Sequence, residues 1–254
     1  MTAVLRVDGL TVRFGGVVAV DDVSFEVADN ELLGLIGPNG AGKTTIMRAI
    51  TGVVTPQAGS ILLSGDDITR MQIHQRVRRG LGFSQQLVRP FRSMTVAENV
   101  ALAAGYRKTR EPVAALFQMS REAERERATE LLAVVGIADV ADARTTDLPL
   151  GFLKRLEVAR ALALEPRVLL LDEPLAGLNH VEAGALADTI VALNARGLTI
   201  ILIEHNLSEV MRVCRRLVVV DNGRKLSEGA PRAVMEQPAV RAAYLGEDAG
   251  DAAA

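Results

Sequence analysis

The sequence predicts an α/β fold in which a parallel sheet is preceded by antiparallel strands and interrupted by a helical insert. Nearly continuous apolar runs at 31–36, 168–171 and 198–203 are typical of central strands that are buried on both faces. Segments of helical character follow these runs, and this alternation indicates crossover connections within a parallel sheet. The stretch 95–163 has helical character throughout and separates the first of these strands from the others.

The N-terminal part begins with two strands in which apolar and polar residues alternate, as expected of half-buried antiparallel strands. A buried strand, a glycine-rich turn and a helix follow, and a further strand ends at the turn formed by Gly65 and Asp66. The predicted elements of this part are strands 4–12, 23–27 and 31–36, helix 44–51 and strand 60–63.

The helical insert contains a charged helix and a second helix that leads back to the core. Residues 111–135 are rich in Ala, Glu, Arg and Leu, and their apolar positions are compatible with one helical face. We interpret the charge-dense part, 121–130, as a solvated surface rather than a binding patch. The second helix covers 153–164 and is expected to end at Glu165, because a residue before proline disfavours helical backbone angles.

The C-terminal part returns to the alternation of strands and helices. Its predicted elements are strand 168–171, helix 181–196, strand 198–203, helix 207–215 and strand 217–221. We therefore predict an N-terminal part of the core at 1–94, a helical subdomain at 95–164, a C-terminal part of the core at 165–245 and a frayed tail at 246–254, which is small and acidic.

Composition limits the possible functions. The formal net charge of −2 gives no sign of nucleic-acid binding, for which a basic stripe is typical. Cys214 is the only cysteine, so no internal disulfide can form, and we interpret it as a small buried hydrophobe beside the run 217–220. No signal peptide is expected in 1–28, and the apolar runs are too short to span a bilayer. Action at a membrane would therefore require docking onto membrane-spanning partners.

The turn after strand 31–36 has the full pattern G-x-x-x-x-G-K-[ST] of a phosphate-binding loop. It follows a predicted strand and opens a predicted helix, which is the context that this motif requires. Glycines allow several backbone N–H groups to face one anion, and the helix start adds partial positive charge. We expect Lys43 to bind the β- and γ-phosphates of a nucleotide, and Thr44, with help from Thr45, to hold Mg²⁺. The loop residues are Gly37, Pro38, Asn39, Gly40, Ala41, Gly42, Lys43, Thr44 and Thr45.

Two acids directly follow the strand 168–171. Asp172 and Glu173 are expected at the carboxyl edge of the parallel sheet, where ligands bind in open α/β folds. Asp172 would hold Mg²⁺, directly or through water, and Glu173 is the candidate to polarise an attacking water. The alternative is an ordinary strand end with solvated acids, which the neighbouring phosphate loop disfavours.

Three further residues are candidates for nucleotide contacts. His205 follows the strand 198–203 and is expected at the edge where a γ-phosphate would lie. Gln86 lies at the junction of the core and the insert, where a neutral amide can coordinate Mg²⁺; the adjacent Gln85 is a less favoured candidate for the same role. Phe14 precedes two glycines and is a candidate platform for adenine, with packing in the core as the alternative.

In this order, these features resemble the nucleotide-binding domain of ABC transporters over nearly the whole chain. The resemblance implies an ABC ATPase, that is, a P-loop NTPase core with a parallel sheet, an N-terminal antiparallel β subdomain and an inserted helical subdomain. It also implies that the chain binds ATP with Mg²⁺ and hydrolyses ATP. On this basis Glu173 and His205 are expected to be catalytic, His205 as a γ-phosphate sensor.

The signature motif of that family lies before the acidic strand, and here its first half departs from the usual pattern. Where the family has L-S-G-G-Q, this chain has L-P-L-G-F. Pro149 replaces the serine, Leu150 a glycine and Phe152 the glutamine. Gly151 is retained and is expected to contact nucleotide, and the following stretch 153–160 is typical of the family.

Several stretches resemble more specifically the ATPase subunits of branched-chain amino acid importers. Related motifs also occur in urea and amide importers, so this narrower assignment leaves those relatives open. The stretches that carry it are 13–16, 19–20, 94–100, 176–179, 203–206 and 243–247.

The resemblance implies a peripheral protein at the cytoplasmic face of the inner or plasma membrane. In the family, two such domains face each other head to tail, and each ATP lies between one chain's phosphate loop and the other's signature. The expected partners are transmembrane permease subunits, a second ATPase subunit in a homodimer or heterodimer, and, indirectly, an extracytoplasmic substrate-binding protein. No nucleic acid is expected. The transported substrate is not determined by this chain, because in the family the binding protein and permeases select it.

Pro149 offers neither a hydroxyl nor an N–H, so this chain's signature is expected to be weakened. One lost charge-assisted hydrogen bond is worth about 1.5–3 kcal/mol.

The nearest alternative to an importer ATPase is an ABC exporter ATPase, such as one for lipopolysaccharide. A soluble ABC ATPase of translation or DNA repair is disfavoured, because those proteins usually carry fused nucleotide domains or long insertions. A near-inactive regulatory subunit is disfavoured by the intact Lys43, Asp172, Glu173 and His205.

Overall fold

The computed structural model describes residues 3–84, 89–106 and 122–248, which form two β-sheets and a set of helices. The first half contains β1 (Ala3–Phe14), β2 (Val17–Ala28), β3 (Leu32–Ile36), α1 (Lys43–Thr51), β4 (Ala58–Leu63), β5 (Asp66–Asp67), α2 (Ile73–Arg78), β6 (Leu81–Phe83) and α3 (Val96–Ala104). The second half contains α4 (Glu122–Val134), α5 (Leu150–Leu162), β7 (Val168–Asp172), α6 (His180–Ala195), β8 (Thr199–Ile203), α7 (Leu207–Val213), β9 (Arg216–Asp221), β10 (Arg224–Gly229), α8 (Pro231–Met235) and α9 (Pro238–Asp248).

The central sheet has the strand order β10-β9-β3-β8-β7-β6. Its strands are parallel from β9 to β6, and only β10 pairs antiparallel, with β9. Every residue of β3, β7 and β8 is buried, because these strands are covered on both faces. A second sheet, β2-β1-β4-β5, is antiparallel throughout. The predicted fold class is therefore confirmed.

Side chains of the central strands alternate between two hydrophobic cores. On β3, Leu33 and Leu35 pack into a core shared with the antiparallel sheet and α1. Leu32 and Ile36 on the same strand pack against the helices on the opposite face. This alternation is the geometry of an extended strand, in which successive side chains point to opposite faces of the sheet. It therefore determines which face the last side chain of each strand points to.

The helical part begins at α3, whose first turn is closed by a capping box. Thr95 accepts a hydrogen bond from the Glu98 backbone N–H, and the Glu98 carboxylate accepts one from the Thr95 N–H. Helix α5 begins at Leu150, so the predicted start at residue 153 is three residues late. Pro149 occupies the N-cap position of α5, where a residue without an N–H costs the helix no hydrogen bond.

The helix α2, the strands β6 and β10 and the C-terminal helices α8 and α9 were not predicted by the apolar pattern. Helix α9 continues to Asp248, so the first three residues of the predicted tail are helical. Within the described ranges, no helix is both long enough and apolar enough to cross a membrane.

Candidate nucleotide-binding site

The predicted phosphate loop connects β3 to α1, and its backbone needs glycine at defined points. Gly37, Gly40 and Gly42 have φ values of 151°, 75° and 105°, which residues with a side chain rarely adopt. A Cβ at Gly37 would lie 2.0 Å from the Val220 carbonyl oxygen. A Cβ at Gly42 would lie 2.7 Å from the Ala19 carbonyl oxygen. The loop is thus held against β9 and β2 at distances that exclude larger residues.

Lys43 is the first residue of α1, and its side chain bends back over the loop. The ammonium group donates to the carbonyl oxygens of Gly37 at 2.6 Å and Pro38 at 2.7 Å, and the residue is only 6% exposed. The first N–H groups of a helix have no partner within the helix, and they carry partial positive charge. A buried ammonium beside these groups makes the loop a site for anions such as phosphates.

The two predicted acids lie at the carboxyl end of β7. Asp172 is the last residue of β7 and is 3% exposed, and its Oδ1 atom has no hydrogen-bond partner among the described residues. Burial, and then the charge of Glu173, raises the pKa of Asp172 to about 6, while Arg48, Lys154 and Lys43 act in the opposite direction. A buried carboxylate oxygen without a hydrogen-bond donor fits a ligand for a hard cation such as Mg²⁺.

Glu173 has a left-handed backbone, with a φ of 48°, although it carries a side chain. Its N–H donates to the Ile203 carbonyl oxygen at 2.8 Å, and its own carbonyl oxygen accepts a hydrogen bond from the Lys154 ammonium at 2.9 Å. The residue is only partly buried. The turn after β7 is therefore fixed from β8 on one side and from α5 on the other.

Glu204 and His205 follow β8, the strand beside β7. Glu204 is fully buried, and its Oε1 atom accepts a hydrogen bond from the Leu175 N–H at 2.7 Å. Burial raises the pKa of this carboxyl group, and the Leu175 hydrogen bond opposes that shift. The His205 side chain is 58% exposed, with its Nδ1 atom 3.9 Å from Glu204 Oε2. The imidazole is thus available to a ligand at this edge of the sheet.

Two buried charged residues beside the site, Lys154 and Glu204, were missed by the sequence interpretation. Lys154 is 5% exposed on α5, and it shares the buried face of the helix with Gly151 and Val158. A lysine on the apolar stripe of a helix is a signal that could have identified it. Glu204 carries a similar signal, because it immediately follows the wholly apolar, buried end of β8.

The remaining predicted site residues lie in different settings. Phe14 ends β1 and is 49% exposed, so the alternative that it packs in the core is wrong. Gly151 is buried in the first turn of α5, and a Cβ there would lie 3.1 Å from Glu182 Oε1. Pro149 and Leu150 are exposed at the start of the same helix. Gln86 and Gln85 lie outside the described residues.

Two family models match the chain. The model for the ABC transporter family covers residues 20–176, which include the phosphate loop, the helical part and the acidic strand. A model for the branched-chain amino acid ATP-binding cassette transporter covers residues 224–250.

Relatives matched almost end to end belong to branched-chain amino acid transport and to lipopolysaccharide export systems. The high-affinity branched-chain amino acid transport ATP-binding protein BraF of Pseudomonas aeruginosa is 38% identical over 250 residues, which cover 96% of this chain and 98% of BraF. LivG of Escherichia coli K12, with the same description, is 39% identical over 254 residues, with 96% and 98% covered. The lipopolysaccharide export system ATP-binding protein LptB of Acidithiobacillus ferridurans is 36% identical over 247 residues, with 97% and 98% covered.

Solved structures of ATP-binding cassettes share the fold. The ADP conformation of MJ1267, an ATP-binding cassette of an ABC transporter, superposes with a TM-score of 0.85 at 29% identity, covering 97% of this chain and 100% of MJ1267. A nucleotide-free ATP-binding cassette gives the same TM-score and identity. The resemblance inferred from the motifs is thus confirmed by a family model spanning over half the chain and by relatives matched almost end to end. This chain belongs to the ABC transporter family, as one of its ATP-binding, ATP-hydrolysing subunits.

Proposed function

We propose that this chain is the ATP-hydrolysing subunit of an importer for branched-chain amino acids or a related small polar solute. The observation that carries the proposal is the match of residues 224–250 to the branched-chain amino acid cassette model. These residues follow β9, the last of the parallel strands, and lie outside the nucleotide-binding motifs common to all ABC ATPases. A match there is more informative about the kind of transporter than the shared motifs are.

Export of lipopolysaccharide is the second candidate. It is favoured by the 36% identity to LptB, which is only slightly lower than the identity to BraF and LivG. Import of urea or an amide is a third, because the resemblance carried by the stretches that indicate a branched-chain amino acid importer extends to urea and amide importers. The three candidate functions differ in the permeases and in the transported substrate, and the proposed ATP site is the same in all three.

In the proposed site, the phosphates of ATP lie in the loop at 37–45 and the adenine stacks on Phe14. The ammonium group of Lys43 moves from the loop carbonyls to the β- and γ-phosphates, which are stronger acceptors because they are charged. The exposed ring of Phe14 offers an apolar face to the base. The first contact requires the Lys43 side chain to move, whereas the second uses the Phe14 ring where it lies.

Around the γ-phosphate, Thr44, Asp172 and Gln86 are the proposed ligands of Mg²⁺, which would neutralise charge on the phosphates. Glu173 is the proposed residue that orients the attacking water and accepts its proton. His205, exposed at the neighbouring strand end, is the proposed contact to the γ-phosphate. Glu173 and His205 would thus supply a base and a hydrogen-bond donor from the ends of two neighbouring strands.

The proposed assembly has two ATPase chains on the cytoplasmic face of a membrane, docked onto transmembrane permease subunits. An extracytoplasmic binding protein would deliver the solute to those permeases. Each ATP would lie between the phosphate loop of one chain and the N-terminus of α5 on the other. Pro149 and Leu150 are exposed at that helix end, as this arrangement requires.

The test is the stimulation of ATP hydrolysis in the reconstituted transporter. The chain is purified with its permeases in lipid nanodiscs, and turnover is measured with the binding protein alone and with leucine, isoleucine or valine added. Stimulation by these amino acids, absent in a Lys43→Ala transporter, supports the proposal. Stimulation by lipopolysaccharide instead would contradict it in favour of export, and stimulation by urea or an amide would contradict the amino acid assignment.

A further inference from the structure

Lys154 is a buried cation that connects the signature helix α5 to the turn carrying Glu173. Its ammonium group donates to the Glu173 carbonyl oxygen at 2.9 Å, and the residue is 5% exposed. It lies three residues after Gly151, so the two occupy the same face of the helix, one turn apart. The contact therefore spans from the helix that carries the signature to the proposed catalytic residue.

The surroundings of Lys154 are strongly acidic. Burial lowers the pKa of Lys154, and the carboxyl groups of Glu204, Glu173, Asp172 and Glu157 act in the opposite direction. Two of these carboxylates are almost fully buried, since Asp172 is 3% exposed and Glu204 is not exposed at all. Buried like charges repel one another strongly because little water screens them. A buried ammonium among them offsets this repulsion.

The left-handed backbone conformation of Glu173 must also be stabilised by contacts from neighbouring elements. A residue with a side chain at a φ of 48° is strained, and such strain persists only where surrounding contacts fix the conformation. The Glu173 N–H donates to the Ile203 carbonyl oxygen of β8, and the Glu173 carbonyl oxygen accepts hydrogen bonds from the Ala176 N–H at 3.2 Å and from the Lys154 ammonium of α5. Of these three contacts, only the one from Lys154 is made by a side chain, so it can be changed by substitution.

We propose that Lys154 is a positioning residue for ATP hydrolysis, which holds the turn at Glu173 in its left-handed conformation and offsets the charge of the surrounding carboxylates. The inference rests on the proposed role of Glu173. Lys154 contacts the backbone carbonyl oxygen of Glu173 and is not proposed to bind nucleotide. Its loss should therefore lower kcat while leaving the KM for ATP nearly unchanged.

The test uses the transporter complex with Lys154→Met, Lys154→Gln and Lys154→Arg. Methionine and glutamine remove the charge, and we expect a roughly 10- to 100-fold loss of kcat, the range for one charge-assisted hydrogen bond. KM should change by less than about threefold, because the ATP contacts remain. Arginine keeps the charge and a donor, and it should retain kcat within about fivefold of the unsubstituted transporter.

Arg155→Met is the matched control on the same helix. Arg155 also donates to a backbone carbonyl oxygen, that of Val135 at 2.8 Å, but its target directly follows the end of α4 and is not part of the turn at Glu173. This control should keep both kcat and KM. An equal loss of kcat in Arg155→Met and Lys154→Met would overturn the inference, because the effect would then be a general one of α5. Wild-type kcat in Lys154→Gln would overturn it as well.

Glu173→Gln separates failure of the inference from failure of the proposed function. If Glu173→Gln keeps wild-type turnover, the proposed role of Glu173 is wrong, and the inference falls with it. If Glu173→Gln abolishes steady turnover, single-turnover rates are compared for Glu173→Gln and the double variant with Lys154→Met. Because Lys154 is proposed to act through Glu173, the second substitution should add less than about threefold. A full multiplicative loss would contradict the inference.

Discussion

At the scale of single residues, the phosphate loop is determined by space as well as by chemistry. Gly37 and Gly40 both have positive φ values, but only Gly37 is in close contact with another strand. The ideal Cβ at Gly37 overlaps the Val220 carbonyl oxygen, whereas nothing lies within 4 Å of the Cβ position at Gly40. The motif pattern treats the residue at Gly37 as invariant and the one at Gly40 as variable, and the structure gives the reason.

This difference predicts unequal costs for two alanine substitutions in the same loop. Gly37→Ala should lower the free energy of unfolding by at least about 3 kcal/mol, since it combines overpacking against backbone with a strained φ. Gly40→Ala should cost only about 1–2 kcal/mol, the penalty of the left-handed conformation alone. Urea denaturation of both variants measures the difference, and equal costs would show that the close approach to β9 is unimportant.

Cys214 gives a pH-dependent prediction. Burial raises the pKa of its thiol to about 12. Between pH 9.0 and about 12, the thiol therefore keeps its proton in the folded protein but loses it in the unfolded chain. The stability contributed by this group is complete below pH 9.0, the ordinary value, and is lost as pH rises towards 12. Above pH 9.0 the loss amounts to about 1.4 kcal/mol per pH unit.

The comparison is with Cys214→Ala, which keeps every other titrating group. Free energies of unfolding measured between pH 8 and pH 11 should fall more steeply for the unsubstituted protein than for the variant. The buried thiol should also resist alkylation in the folded protein and react on unfolding. Parallel pH dependences for the two proteins would mean that the thiol already ionises in the folded state.

Sequence reasoning predicted the positions of single residues in the fold well where one motif spans consecutive positions. Lys43 lies in the loop and Asp172 at the end of β7, as the patterns predicted. It missed Lys154 and Glu204, which enter the same region from α5 and β8. Their importance arises from a contact and from burial that only the folded chain brings about, because they are far from Asp172 along the sequence.

At the scale of elements, the hairpin of β9 and β10 shows a signal that the apolar pattern did not use. Asn222 and Gly223 separate the two strands and have φ values of 46° and 76°, both positive. Two positive φ values are the requirement of a type I′ turn, for which Asn-Gly is the preferred pair. Strand β10 is polar and mostly exposed, so it could be predicted from its turn but not from hydrophobic periodicity.

Helix α1 begins at the phosphate loop, and Arg76 of α2 donates hydrogen bonds to the carbonyl groups at its C-terminal end. The guanidinium donates to the carbonyl oxygens of Ala49 at 2.6 Å and Ile50 at 2.7 Å, and also to those of Met71 and Thr69. Arg76 is 1% exposed, and its burial lowers its pKa. The last carbonyls of a helix lack partners within the helix, so this cation satisfies them and complements the helix dipole.

We predict that Arg76→Met destabilises the protein by about 3–5 kcal/mol, because several buried carbonyl groups lose their only charged donor. Arg78→Met, two residues later in the same helix and exposed, should cost less than about 1 kcal/mol. Thermal and urea denaturation of both variants measure the two costs. A small effect of Arg76→Met would mean that water replaces the guanidinium at the end of α1.

At the scale of the whole molecule, the departure from the family signature has consequences for a pair of ATPase chains. Pro149 is exposed as the N-cap of α5 and makes no side-chain capping hydrogen bond. Phe152, in place of the family glutamine, packs against the hydrophobic core. If the partner chain carries an intact signature, that signature completes the ATP site at this chain's phosphate loop. The ATP site at the partner's phosphate loop is completed by the weaker signature of this chain.

We therefore predict unequal effects when the proposed catalytic carboxylate is neutralised in one or the other chain of such a heterodimer. Glu173→Gln in this chain should lower turnover about 10- to 100-fold more than the equivalent change in the partner, the ratio expected for one charge-assisted hydrogen bond. Pro149→Ser in this chain should restore the missing hydroxyl and bring the two losses closer together. ATP hydrolysis by the four assembled transporters measures these ratios. Equal losses before the serine is introduced would show that backbone N–H groups at the start of α5 are sufficient without it.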